Sequence, residues 1–161
     1  MRQRNGLLGG PSEQQPELVR SVGDRMSSFD YHIHADLNLI EVRPTGVVEI
    51  SDIMSYAQEA LSLDIVTEGT IEYYDPSKVT DISGDYTSAM RLTGLFRKWF
   101  SCGWQGGVFF APQDHQFGMI RMISAIAEGV QGAPAPMLIP RREPTALGEV
   151  RDFLAENRQI S

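Results

Sequence analysis

Three short stretches of the sequence hold residue types that could do chemistry. His32 and His34 stand two apart in FDYHIHAD, a spacing that would put both imidazoles on one face of a strand, as in a two-histidine metal pair. Two ligands do not close a site, and His115 is the only further histidine, so a polar strand face without metal is the preferred reading. Asp114 and His115 stand where the apolar run Val108 to Ala111 passes through Pro112 into a helical pattern. Open α/β folds collect ligands at the carboxyl ends of strands, and a helix N-terminus there offers free N–H groups to an anion. Simple capping of the helix by Asp114, worth about 1 kcal/mol, is preferred. Asp75, Ser77, Ser83 and Asp85 lie in YYDPSKVTDISGD, a polar segment with hydroxyls but no adjacent base. A hydroxyl without a base is a weak nucleophile, and the segment lacks phosphate-loop spacing after Gly84. These six residues are the candidate ligand- or partner-binding positions; no catalytic residue, metal or cofactor is assigned.

The elements that must position them follow from periodicity. Residues 106–122, GGVFFAPQDHQFGMIRM, read as one buried strand turning directly into one buried helix, half of a βα unit. Before it, Tyr31, Ile33 and Ala35 alternate with His32, His34 and Asp36, a half-buried strand; LIEVR and VVEI continue as a hairpin partner bent at Pro44, Thr45 and Gly46. Ser51 is expected to cap a helix carrying Ile53, Met54, Ala57, Ala60 and Leu61 on one stripe. TIEYYD is the next strand. Residues 77–85 form a polar connection, and residues 86–100 a helix whose apolar face includes Met90, Leu92, Leu95, Phe96, Trp99 and Phe100. The aromatic group Phe96, Trp99, Phe100 and Trp104 is assigned to the core. The helix from His115 to Val130 has apolar residues all round and should be largely buried, with Gly118 allowing close approach to the sheet. Residues 133–136 form a linker, residues 137–139 a short strand, and Pro144 opens a last helix. Residues 1–28, rich in Arg, Gln, Gly, Ser and Glu, are expected to be a flexible arm in which residues 16–26 could dock as a short helix; residues 29–161 form one domain. The alternation of strand and helix predicts an α/β fold: an antiparallel hairpin leading into a mixed, largely parallel sheet packed with about four helices.

Composition narrows the function classes. At 161 residues, 42% hydrophobic and 22% charged, the chain has the make-up of one globular domain with a substantial core. A net charge of -7, with only 14 Lys and Arg scattered along the chain, argues against nucleic acid and against anionic membrane surfaces. A single cysteine, Cys102, excludes an internal disulfide and suits a reducing cytoplasm. No apolar run approaches the ~18 residues that span a bilayer, so neither export nor an integral membrane segment is expected.

Over roughly residues 29–157 the order of elements, the turn IEVRPTG, the segment YYDPSKVTDISG, the unit VFFAPQDHQFGMIRM and the closing RREPTALGEVRDFL together resemble STAS domains, the sulphate-transporter and anti-sigma-factor-antagonist fold. More narrowly, they are similar to a bacterial branch grouped with anti-anti-sigma factors and Sec14-like lipid carriers. The resemblance implies a regulatory module that binds a partner protein and, in characterised members, is switched by phosphorylation of a serine at a helix start. Counted from Asp75, the family's acidic position falls on Ser83 and its phosphoacceptor on Gly84, so the acceptor is missing in register and no such switch is expected. Three readings follow: a non-catalytic STAS-like interaction module acting as a homodimer or with a protein partner; a binder of a small apolar or lipid ligand, from the Sec14-like kinship and the Met and Phe content of the long helices; and an enzyme, which has the least support.

Overall fold

A computed structural model describes residues 19–22, 28–128, 137–140 and 142–158. They form a mixed α/β structure. Strands β1 (Val19–Val22), β2 (Ser28–His34) and β3 (Leu39–Glu49) pair antiparallel in that order. Beyond β3 the pairing is parallel: β4 (Ile71–Tyr74), β6 (Gly107–Phe109) and β7 (Met137–Leu138) follow outward, and β5 (Lys78–Ser83) pairs with β3 further along the edge that β4 occupies. The strand at residues 19–22 replaces the docked helix expected there; residues 1–18 and 23–27 of the expected arm, the linker at 133–136 and Val130 lie outside the described residues.

Helices α1 (Ile50–Ser62), α2 (Tyr86–Ser101) and α3 (Asp114–Glu128) pack in sequence, α2 against both neighbours, and cover one face of the sheet with the larger core. Helix α4 (Glu149–Arg158) covers β4 and β6 on the other face, where Val150 and Phe153 meet Leu39, Ile71, Tyr73 and Val108. Trp99 and Trp104 lie edge to face at 5.3 Å, and Phe96 stacks on Trp104 at 5.4 Å, so the aromatic group is core as expected.

Several local expectations need correction. Residues 78–83 are a strand rather than a connection. In the register, Gly46 faces Val79 and Val47 faces Asp81, so Thr80 is an extra, bulged residue that turns Val79 and Ile82, three apart, onto the same buried face. The strand therefore lacks the period of two by which strands are read. Gly46 takes φ 70°, the left-handed region a side chain resists, at the irregularity in β3. Helix α1 starts one residue before Ser51: Glu49 occupies the cap, and its N–H donates to Asp52 Oδ2 at 2.9 Å. Tyr56, left out of the apolar stripe, is wholly buried. Helix α3 begins at Asp114 itself, with Gln113 O accepting from Phe117 N–H, so Asp114 sits in the first turn instead of capping it. Helix α4 begins at Glu149, beyond Pro144, because the Glu149 carboxylate accepts from Thr145 N–H and hydroxyl and ties the preceding turn.

The phase of α3 also differs. It buries Gln116, Ile120, Ile123 and Ser124, while Phe117 and Gly118 face outward, so it is amphipathic rather than buried all round. A methyl group built on Gly118 meets nothing within 4 Å, and the same holds for Gly94 in α2. Gly118→Ala and Gly94→Ala should therefore each stabilise the protein by about 0.5–1 kcal/mol, by restricting the unfolded chain at no steric cost. Urea unfolding of the single and double variants checks this, and a loss at either position would contradict its outward placement.

Candidate functional site

The six candidate positions separate into two places. Asp75 and Ser77 lie in the break between β4 and β5, where Asp75 N–H donates to Val42 O at 2.9 Å and Asp75 Oδ1 accepts from Ser77 N–H at 3.0 Å. With Asp30, His32, Arg43 and Lys78 they line a hollow of about 210 Å³. Its rim carries charges of both signs.

Ser83, Asp85, Asp114 and His115 instead lie where β5 runs into α2 and β6 into α3, at the carboxyl ends of those two strands. Asp85 caps α2: its Oδ1 accepts from Ser88 N–H at 2.7 Å. That backbone bond is the main reason its carboxyl is held below the usual range, with the Ser88 hydroxyl and the Arg91 guanidinium adding to it. His115 Nε2 lies 3.9 Å from Asp81 Oδ1, both exposed, an approach too long for a hydrogen bond. Ser83 is half-buried as the last residue of β5. No group of three or more His, Cys, Asp or Glu among the described residues is arranged to hold a metal ion.

Around this end the surface is apolar as well as charged. Tyr86 and Met90, one turn apart on α2, are 63% and 44% exposed, and Phe117 in the first turn of α3 is 46% exposed, with the Arg121 guanidinium 5.9 Å from its ring centroid. Met90, expected to face the core, does not. Gly84 stands at the turn into α2. A Cβ there would fall on Ile50 Cδ1 and lie 2.5 Å from Ile50 Cγ1, and Ile50 is itself buried. Its φ is outside the left-handed region, so the glycine serves space rather than conformation. A side chain at this position would thus require the Ile50 side chain to shift.

Two buried carboxyls escaped sequence reasoning. Glu41 on β3 is 4% exposed: Arg43 Nε and Nη2 donate to its Oε1 at 3.0 and 2.8 Å, and His34 Nε2 is 3.0 Å from its Oε2. His34 is thereby half-buried against the sheet instead of standing on a solvated face. The pattern H-x-H on β2 against E-x-R on β3 was the available signal, since strand residues two apart share a face. Glu72 on β4 is wholly buried on the opposite face, its Oε1 accepting from Tyr56 OH at 2.6 Å and Tyr74 OH at 3.1 Å, its Oε2 without a partner. Burial pushes its carboxyl up to about 8, against the two hydroxyl donors that lower it. A lone carboxylate inside the apolar strand IEYY was its only trace.

No family model matches the chain, and no curated protein matches it. Among solved structures the chain is similar to an uncharacterised protein of the DUF3478 family with a SpoIIAA-like fold from Shewanella loihica. Sequence identity is 11% and the TM-score 0.41, over 92% of this chain and 98% of that one.

Gly84→Ser, which places a hydroxyl at the turn into α2, should destabilise the protein by about 1–3 kcal/mol through overlap with Ile50. Combining it with Ile50→Val, which removes Cδ1, should recover part of that loss in a double-mutant cycle followed by urea unfolding. A neutral Gly84→Ser would show that the turn has room for an acceptor.

Proposed function

We propose that this chain is a non-catalytic STAS-like module that works through protein contact at the carboxyl end of its parallel strands, with a second copy of itself as the first occupant to test. The observation that carries this is the exposure of Tyr86, Met90 and Phe117 near the starts of two packed helices. Large apolar side chains on adjacent elements, edged by the polar side chains of Asp85, Asp114, His115 and Arg121, make the apolar centre and polar rim that protein interfaces use. Ser83, Asp85, Asp114 and His115 belong to that surface by position. Asp75 and Ser77 belong to the separate hollow and are proposed as a secondary contact.

The apolar-ligand reading draws no support from the two hollows: the one above is edged by charge, and the other, about 310 Å³ beside α4, mixes Leu37, Leu39, Ile71 and Leu147 with Asp36, Arg151 and Asp152. No helix of the described residues is long and apolar enough to cross a membrane.

The test is site-specific photo-crosslinking in native cells with the crosslinker placed at Met90, and at exposed Gln58 on α1 as a control. A discrete adduct from Met90 alone, lost when Tyr86→Ser and Phe117→Ser are introduced, is the expected result. Its mass on a denaturing gel reports whether the partner is a second copy. No adduct from Met90, or equal adducts from both positions, would remove the basis for the surface.

A further inference from the structure

Glu72 stands apart from the proposed surface and has no task in it. The carboxyl lies between the sheet and α1, with Ile40 of β3 beside it on one side and Gly107 of β6 on the other in the strand register. Neither neighbour is charged. From α1 it meets the Tyr56 hydroxyl, and from its own strand the Tyr74 hydroxyl. Tyr31 of β2 packs on Tyr56 at 5.2 Å, and from α2 the Trp99 ring lies 5.6 Å from the Tyr56 ring. Among the described residues no ion pair reaches Glu72. The contrast with Glu41, which is held by a guanidinium and an imidazole, is one of chemistry: Glu72 has only neutral donors, and they meet only one of its oxygens.

A buried carboxyl placed this way is far better kept as the neutral acid. An unmet hydroxyl costs a fraction of what an uncompensated buried charge costs. Ionisation would draw water toward Oε2, and water can enter there only by separating packed elements. The Tyr56 to Glu72 bond is a direct polar tie from α1 to the sheet, and Trp99 Nε1, donating to Ala57 O at 3.0 Å, links the adjacent residue of α1 to α2.

We propose that Glu72, Tyr56 and Tyr74 form a proton-operated latch that seats α1 on the sheet while Glu72 is protonated and loosens it when Glu72 ionises. The folded protein keeps the Glu72 proton up to about pH 8, whereas the group exposed has the ordinary value of 4.5. The seated state therefore binds the extra proton, and its stabilisation is full below the lower value and lost as pH rises through the upper one. Over that window the opening equilibrium of α1 should grow about tenfold for each pH unit.

The test is native-state hydrogen exchange of the full chain from about pH 5 to pH 9, corrected for intrinsic exchange, on wild type, Glu72→Gln and Tyr56→Phe. Wild-type α1 amides should lose protection with pH relative to Glu72→Gln, while α4, on the opposite face, does not. In Tyr56→Phe the carboxylate loses a donor that favours it, so the midpoint should move to higher pH. Parallel pH profiles for wild type and Glu72→Gln would overturn the latch, as would a midpoint that falls in Tyr56→Phe. An equal loss of protection in α4 would reduce the effect to global stability and overturn the seating of α1.

Discussion

The unsatisfied edge of β3 is the constraint on which the rest of the molecule depends. The strand runs eleven residues, Leu39–Glu49, with one edge filled by β2. Its other edge offers a long row of backbone donors and acceptors, and buried backbone groups must find partners. β4 covers only residues 39–42 of that edge. The chain breaks at Asp75, resumes as β5 and covers residues 45–49, so two short strands do the work of one. Because β5 ends further along than β4, α2 starts beside the cap of α1, and that is how Gly84 comes to lie against Ile50. The close packing of Gly84 on Ile50 thus originates in strand pairing on β3.

The two faces of the sheet treat buried acid in opposite ways. On one face, Glu41 is held by Arg43 of its own strand, whose two donors grip a single oxygen, and by His34 of β2. On the other, Glu72 meets only neutral hydroxyls, that of Tyr56 from α1 and that of Tyr74 from its own strand. Desolvation then dominates, and the acid is favoured in its neutral form. Residues one strand apart in the same sheet differ in chemistry because of which layer covers them.

What the sequence determined by itself was the part that depends on near neighbours. Apolar spacing placed α1, α2 and α3 to within a residue or two, the hairpin followed from alternation in residues 29–35, and the aromatic group around Trp99 proved to be core. Tertiary structure decided what depends on partners distant in the chain. Lys78–Ser83 is a strand because β3 needs an edge partner, and a bulge at Thr80 hides its period. Phe117 and Gly118 face outward because α3 is phased by its contacts with α2 and β5, and composition alone could not set that rotation. The state of Glu72 follows from Tyr56, sixteen residues away on another element. Periodicity is a local property of the chain, whereas edge pairing, helix phase and desolvation are set only when elements meet.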